Sequence, residues 1–581
     1  MKHKNGLLSY LQGTLSEASG YHNEALGRAA DSRSAYRGDP YGNEEEGKSS
    51  IVVKDIRRTV HGALPSLVEP FISDEIVRIT SENPEGMEGA RKQEALINYQ
   101  WSKLHRPLEI METVGLNLMV DGTVWLMSGW NAKGHPTVEV VPFESVIPDP
   151  AAYTPEEMRF VIYRRKVSIG EIRSNPDWYG KQSDATLSQL VPSNESDYEP
   201  EQVAGREDTF NPDDRSLELV EVFEYYGYYD LDGNGTPKPI IAIWSGNQLL
   251  RIDESPYPFG PIPFDSITFG KIPFSLYGFT ITDLIGDYQR LRTSITRGII
   301  DNMANSNNGI KFIRKGSLDP VNYKRLQRGE RFVEINSPSA TGVDALIYDG
   351  NFNPLPPDVY KMLEDLQKEE ENLSGITRYA IGSDSRSLNQ TATGVGIISS
   401  MSQRRLIYIT RHISAAMERV FAKWAAMNAK LIRDVVIPTD DGYERIIGPE
   451  LPSDGMGITI TTPTEGIKQQ RNSEIASMLN AVSPMVPYTG PEPVLGLLME
   501  LASNMEMPNL KKQLSEAMRR LPEQQAQMAQ MSQQMEQMKA QIEMMKQSAS
   551  ARKDIASAEK YEAEADRTRY ETLANSFGVD L

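Results

Sequence analysis

Cysteine is missing altogether from the 581 residues. Disulfides, thiolate metal centres and cysteine nucleophiles are therefore excluded, and a reducing compartment suits the chain. Histidine is scarce, at six residues: His3, His22, His61, His105, His135 and His412. No two are spaced as ligands on one helix face, so they read as scattered surface or packing residues. Gly-x-Ser-x-Gly and His-Glu-x-x-His do not occur. Carboxylates are abundant, but nothing marks a catalytic pair. No apolar run approaches the ~20 residues of a membrane helix. The opening segment carries Lys2 and Lys4, but Ser9, Gln12 and Gly13 break its apolar run, leaving no signal-peptide core. The expectation is a soluble chain with no membrane partner. Positive charge is also in deficit, 61 Lys and Arg against 80 Asp and Glu, for a net −19. Static nucleic-acid clamps are normally basic, because phosphate neutralisation supplies their affinity, so this balance argues against one.

What is present is ordinary globular usage, 39% hydrophobic and 24% charged, enough for a sizeable core. The length suggests about four domains or one large elaborated subunit. Residues 1–48 are small and polar, ending in Asn43-Glu-Glu-Glu-Gly47, and read as a flexible N-terminal arm. A helical stripe begins near Ile51 with Ile56, Val60, Leu64 and Leu67, and Pro65 is expected to kink or break it. A second helix is predicted over Arg91–Leu104. Paired strands follow, at 123–127 and 136–141 around Asn131–Gly134, then a polar surface loop at 185–215. Strands resume at 217–229 and 239–244.

The period then becomes helical again. Leu284, Tyr288, Leu291, Ile295 and Ile299 form one stripe between Thr282 and Met303. A compact segment follows, with strand-like runs at 310–313 and 331–335. Pro356-Pro357-Asp358 opens another helix that Gly375 should stop. The longest periodic signal is Leu406, Ile409, Ile413, Ala416, Val420, Trp424, Met427 and Leu431. A β-like patch lies at 435–462. In the Gln- and Met-rich stretch 522–548, Met528, Met531, Met535, Met538, Ile542 and Met545 follow heptad spacing. They read either as a loose amphipathic helix or as a bundle with copies of itself.

Two motif near-matches fail on inspection. Asp230-x-Asp-x-Asn-Gly235 opens like a calcium loop, but Ile241 stands where the bidentate glutamate is needed, so a hairpin turn is the better reading. Gly129-x-x-x-x-Gly134 is followed by His135-Pro136 in place of the phosphate-binding Lys and the Ser or Thr. No cofactor or metal is expected, and no enzyme activity.

Charge is unevenly distributed. Lys311, Arg314, Lys315, Lys324, Arg325, Arg328 and Arg331 crowd one compact segment. They read as a docking surface, a DNA-facing patch or a solvated face. Helix 358–373 is the opposite, with Asp358, Glu364, Asp365, Glu369, Glu370 and Glu371 against Lys361 and Lys368. A Gly/Ser-rich loop at 382–390 separates it from the long helix.

This order, together with several local motifs, resembles the portal proteins of short-tailed double-stranded DNA phages. The motifs are Tyr277-Gly-Phe-Thr-Ile-Thr-Asp-Leu-Ile-Gly-Asp-Tyr-Gln289, Arg297-Gly-Ile-Ile-Asp-Asn302, Gly375-Ile-Thr-Arg-Tyr379, Leu388-Asn-Gln-Thr-Ala-Thr-Gly-Val395 and, upstream, Val141-Pro-Phe-Glu-Ser-Val-Ile-Pro-Asp-Pro-Ala151. The resemblance implies an α+β portal fold in a dodecameric ring at a capsid vertex of the virion, assembled in the host cytoplasm. By segments it implies a wing (49–276), a first stem helix (277–306), a clip (307–356), a second stem helix (357–376) and a tunnel loop (377–396). Beyond these come a long wing helix with a β patch (397–466), a crown (467–521) and a helical barrel or flexible tail (522–581). The tunnel-loop residues facing DNA would be Arg378, Ser383, Ser385, Arg386, Asn389 and Gln390. The clip docking surface would be Lys311, Arg314, Lys315, Lys324, Arg325 and Arg328. An acidic lumen would come from Glu364, Asp365, Glu369, Glu370 and Glu371. Implied partners are other copies of the chain, the terminase large subunit, a tail adaptor, and the major capsid and scaffolding proteins. Double-stranded DNA would be passed without sequence readout. On this view the −19 charge suits a channel in which DNA slides. The alternatives are another head–tail adaptor or scaffold-like assembly protein, and a DNA-processing hydrolase.

Overall fold

The computed structural model describes residues 2–460, with gaps at 83, 191–213, 308–310, 329–332, 336–346, 350–354, 377–391, 440–441 and 454. Beyond 460 it describes 475–479, 481–482, 492–504 and isolated positions between 510 and 568. Two compact units divide the chain, Met1–Thr462 and Pro463–Leu581. The second contains a described helix, Glu492–Asn504.

Numbering only the helices of eight or more residues, the first unit contains α1 (Lys2–Arg37), α2 (Asp55–Val68), α3 (Met87–Tyr99), α4 (Pro107–Asp121), α5 (Ile281–Asn307), α6 (Pro320–Gln327), α7 (Asp358–Ser374) and α8 (Ala392–Leu431). Its strands are β1 (Val77–Ser81), β2 (Thr123–Trp130), β3 (Pro136–Val141), β4 (Val146–Pro148), β5 (Phe160–Ser168), β6 (Leu219–Tyr229), β7 (Lys238–Ser245) and β8 (Gln248–Glu254). They continue with β9 (Phe264–Thr268), β10 (Gly270–Lys271), β11 (Gly278–Phe279), β12 (Lys311–Ile313), β13 (Ile347–Asp349), β14 (Asp434–Thr439), β15 (Gly442–Ile447) and β16 (Met456–Ile460).

The largest sheet has the order β4-β5-β6-β7-β8, and a second has β3-β2-β9. All the pairings described are antiparallel, some between strands joined by short hairpins, as β2–β3, β6–β7 and β7–β8, and others between strands far apart in sequence, as β1–β16 and β2–β9. The run Ile240-Ile-Ala-Ile-Trp244 is apolar throughout because both faces of β7 are covered. Ile240, Ala242 and Trp244 pack with Leu7, Leu11 and Ala18 of α1. Ile241 and Ile243 pack with Val161, Tyr226 and Phe264 on the other side.

The segment expected to be a flexible arm is thus mostly a helix of 36 residues. Its buried positions are Leu7, Leu11, Thr14, Ala18, His22, Ala25, Ala29 and Ser32, spaced three or four apart. Small and polar side chains occupy that stripe, so its composition resembles an unfolded tail although its period is helical. Near its end, Arg33 donates to both carboxylate oxygens of Asp121 at 2.7 and 2.8 Å and to Glu144. Asp121 and Glu144 are buried.

Pro65 does not break α2, which continues through it to Val68. Helix 91–104 is found as α3 followed by a π-turn at Gln100–Leu104. The loop expected at 185–215 begins instead with a short helix, Asp184–Ser188, capped by Ser183, and 191–213 lie outside the described residues. Residues 333–335 are not strand. On α8, Leu406, Ile409, Ile413, Ala416, Val420, Trp424 and Met427 are buried as their spacing predicts, while Leu431 at the helix end is exposed.

Candidate functional site

Helices α5 and α7 flank the basic segment and pack against each other. The predicted stripe on α5 is only half-buried: Leu284, Tyr288, Ile295 and Ile299 are intermediate and Leu291 is exposed. The fully buried face lies beside it and includes Gln289 and Thr293. Their side-chain oxygens accept the backbone N–H groups of Ile56 at 2.9 Å and Val53 at 3.1 Å. The polar face therefore fastens α5 to the entry of α2, and much of the apolar stripe is left partly open.

Between the helices, β12 and β13 pair in the register Lys311↔Asp349 and Ile313↔Ile347. Asp319 caps α6 by accepting from Val321 N at 2.9 Å and Asn322 N at 2.7 Å. Those donors hold its carboxyl below the usual range. Arg314, Lys315, Lys324, Arg325 and Arg328 are all exposed. The backbone of Lys311 lies on β12, and its side chain is outside the described residues. Composition alone did not reveal that this surface also exposes Phe312, Val321 and Tyr323. Their apolar character was visible in the sequence, but their exposure follows only from the fold. Exposed aromatics beside exposed cations are common features of a protein-docking face.

On α7, Glu364, Asp365 and Glu369 are exposed and Glu371 is half-buried. Glu370 departs from the expected acidic face, because its side chain is only 2% exposed. Its Oε2 lies 3.1 Å from Arg292 Nη1 of α5, and the same nitrogen is 2.6 Å from Asp55 Oδ1 of α2. Arg58 completes the group at 3.2 Å from Asp55 and 3.5 Å from Glu370. Thr59 donates to Glu370 at 3.3 Å. Burial raises the pKa of both carboxyls, opposed by the two guanidiniums. The group joins three helices far apart in sequence, which is why no local motif announced it.

Gly375 ends α7 in the left-handed region, with φ +68°, as predicted. A Cβ there would lie 2.7 Å from the side chain of Arg405, whose guanidinium donates to the Leu373 carbonyl. This fastens the end of α7 to α8. The tunnel-loop residues Arg378, Ser383, Ser385, Arg386, Asn389 and Gln390 lie outside the described residues, as does the Met/Gln heptad of 522–548.

The rejected calcium loop is a turn that uses its own acid. Asp230 accepts the backbone N–H groups of Gly233, Asn234 and Gly235 at 2.8, 3.2 and 2.7 Å. Among the described residues, no group of three or more His, Asp or Glu is placed to hold a metal ion, and no helix is long and apolar enough to cross a membrane.

Residues 7–133 and 130–550 match the family model of the phage SU10 portal protein. The chain belongs to the phage SU10 portal protein family. A phage portal protein provides the channel at a capsid vertex through which DNA is packaged, and it is a structural component of the virion. In this portal chain, α5, the basic segment and α7 all fall within the second matched stretch.

Proposed function

We propose that the chain is a non-enzymatic subunit of a dodecameric ring, with α5 and α7 as its stem and residues 307–356 as its clip. The reading rests most on the half-open apolar stripe of α5. Leu291 of that stripe is exposed in the isolated chain and Leu284, Tyr288, Ile295 and Ile299 are only partly buried, and a neighbouring copy would cover them. Residues 49–276 form the wing, the long helix and β patch continue it, and residues beyond 466 form the crown and a terminal barrel or tail.

In this arrangement Glu364, Asp365 and Glu369 give the lumen an acidic lining that repels phosphate, so DNA meets no deep binding well. The tunnel segment 377–396, whose last five residues open α8, touches the DNA backbone without reading bases, through Arg378, Arg386 and the neighbouring polar side chains. The clip docks the terminase large subunit during packaging and a tail adaptor afterwards. Its cations and exposed aromatics suit partner exchange, since electrostatic complementarity speeds encounter. Capsid and scaffolding proteins meet the ring during assembly in the host cytoplasm.

Negative-stain images of the purified protein test the ring, and native mass gives its subunit number. A central hole with twelve copies is expected. A small monomeric adaptor-like particle, or metal-dependent nuclease activity, would overturn the reading. Replacing residues 382–390 with a short linker is expected to spare assembly and impair packaging or genome retention.

A further inference from the structure

A second positive surface lies on the exposed side of α2, outside the clip. Lys54, just before α2, and Arg57, Arg58 and His61 on it form pairs three or four residues apart (54 with 57 and 58, 61 with 57 and 58), so they lie along one side of the helix over roughly 10 Å. All four are exposed. With Gly62, Pro65 and Ser66 they line an open groove of about 540 Å³ that has no carboxylate among its lining residues. Tyr36 supports two of them. The Arg57 guanidinium lies 5.6 Å from the ring centroid, and the Tyr36 hydroxyl is 2.9 Å from His61 Nε2. Neither contact neutralises a charge.

Three acids lie nearby. Asp55 and Glu370 are shared between Arg292 and Arg58 of the groove itself, and Asp39, near Lys54, is held by Arg37 at 2.7 Å. Arg58 reaches inward to the buried carboxylates but stays 43% exposed. On a chain of net charge −19, a groove whose permanently charged lining residues are all cationic locally opposes the overall field.

We propose that this groove on α2 holds the phosphodiester backbone of double-stranded DNA without reading its sequence. Lys54 and Arg57, with Arg58 shared with the buried carboxylates, can neutralise only a few phosphates, so the contact is weak, salt-sensitive and compatible with movement of the duplex. The inference depends on the charge layout of α2 and not on which face of α7 lines the lumen.

The test uses the full-length protein and a labelled random-sequence duplex, with anisotropy measured across a salt series. The double variant Lys54→Ser/Arg57→Ser leaves the buried carboxylate group and the core untouched. It is expected to lower the salt slope of binding by about two and to weaken low-salt affinity roughly tenfold. Its thermal midpoint and ring size should not change. Should the double variant fold poorly, Arg57→Gln alone is expected to lower the slope by about one. An unchanged slope, or no duplex binding by the unsubstituted protein at low salt, overturns the proposal. So does a poly-glutamate peptide bound as tightly as the duplex, which would assign the groove to an acidic protein. Loss of ring assembly with duplex binding intact would assign it to a second copy instead.

Discussion

Arg292 and Glu370 meet 3.1 Å apart, one on each of the two helices that flank the basic segment, and Asp55 of α2 lies 2.6 Å from the same guanidinium nitrogen. One cation thus secures three helices. Replacing Arg292 with Met would leave two buried carboxyls facing each other with only Arg58 nearby. The expected cost is about 3 kcal/mol, read by chemical denaturation. Glu364→Ala, on the exposed side of α7, is expected to change stability by less than about 0.5 kcal/mol.

The same group has a pH signature of definite sign. Burial raises Glu370 above its ordinary value of 4.5, so the folded chain holds that proton more tightly than the unfolded chain does. Its contribution to stability is present at low pH and falls as pH rises through the raised value. Glu370→Gln has no such term. The variant should therefore gain on the parent as pH rises from 4.5 toward neutrality, as measured by paired denaturation curves.

His22 works in the opposite direction. Its Nε2 is 3.2 Å from the Glu144 carbonyl and must donate to it, so Nδ1 accepts from the Tyr277 hydroxyl at 2.9 Å. This neutral ring is buried, and burial together with Arg164 lowers its pKa to about 4. The unfolded chain takes up that proton first, so stability is lost as pH falls from 6.5 toward 4, by about 3 kcal/mol in total. Hydrogen-exchange protection factors in α1, corrected for the intrinsic rate at each pH, should fall over that window, and His22→Gln should flatten the response.

Gly375→Ala is expected to destabilise the end of α7 by about 1 kcal/mol or more, because φ is +68° and the new methyl meets Arg405. Arg405→Ala should partly relieve the contact, so the two substitutions should not add. A double-mutant cycle by thermal unfolding measures this.

On the proposal that residues 307–356 are the docking clip, charge reversal at Arg325 and Arg328 should weaken terminase or adaptor binding by slowing association, with an effect that shrinks at high salt. Phe312→Ser should instead speed dissociation. Surface plasmon resonance separates the two, and unaltered binding in both would remove the docking assignment from residues 307–356.

The elements with long apolar periods were legible. Helix α8, the stop at Gly375, the β2–β3 hairpin and the Asp230 turn all lie where residue spacing and turn chemistry put them. Helix α1 was not, although its buried residues keep a three–four spacing. Ala18, Ala25, Ala29 and Ser32 bury little area each, so a reading weighted by hydrophobicity misses a stripe that works through close approach. Glu370 was misplaced because an acid among acids is indistinguishable by composition.

The sequence by itself determined the long helix at 406–431 and the helix that stops at Gly375, that charge of opposite sign separates the segment at 311–331 from the helix at 358–373, and which family motifs run through both. Those properties are local, set by side-chain period, capping and turn preference within a few residues. Only the tertiary structure decided that Asp55, Arg292 and Glu370 converge, that Gln289 and Thr293 occupy the buried side of α5, and that Lys54, Arg57, Arg58 and His61 line one groove. Burial and charge pairing depend on what lies across a gap of a few ångströms, and in this chain that neighbour is often hundreds of residues away.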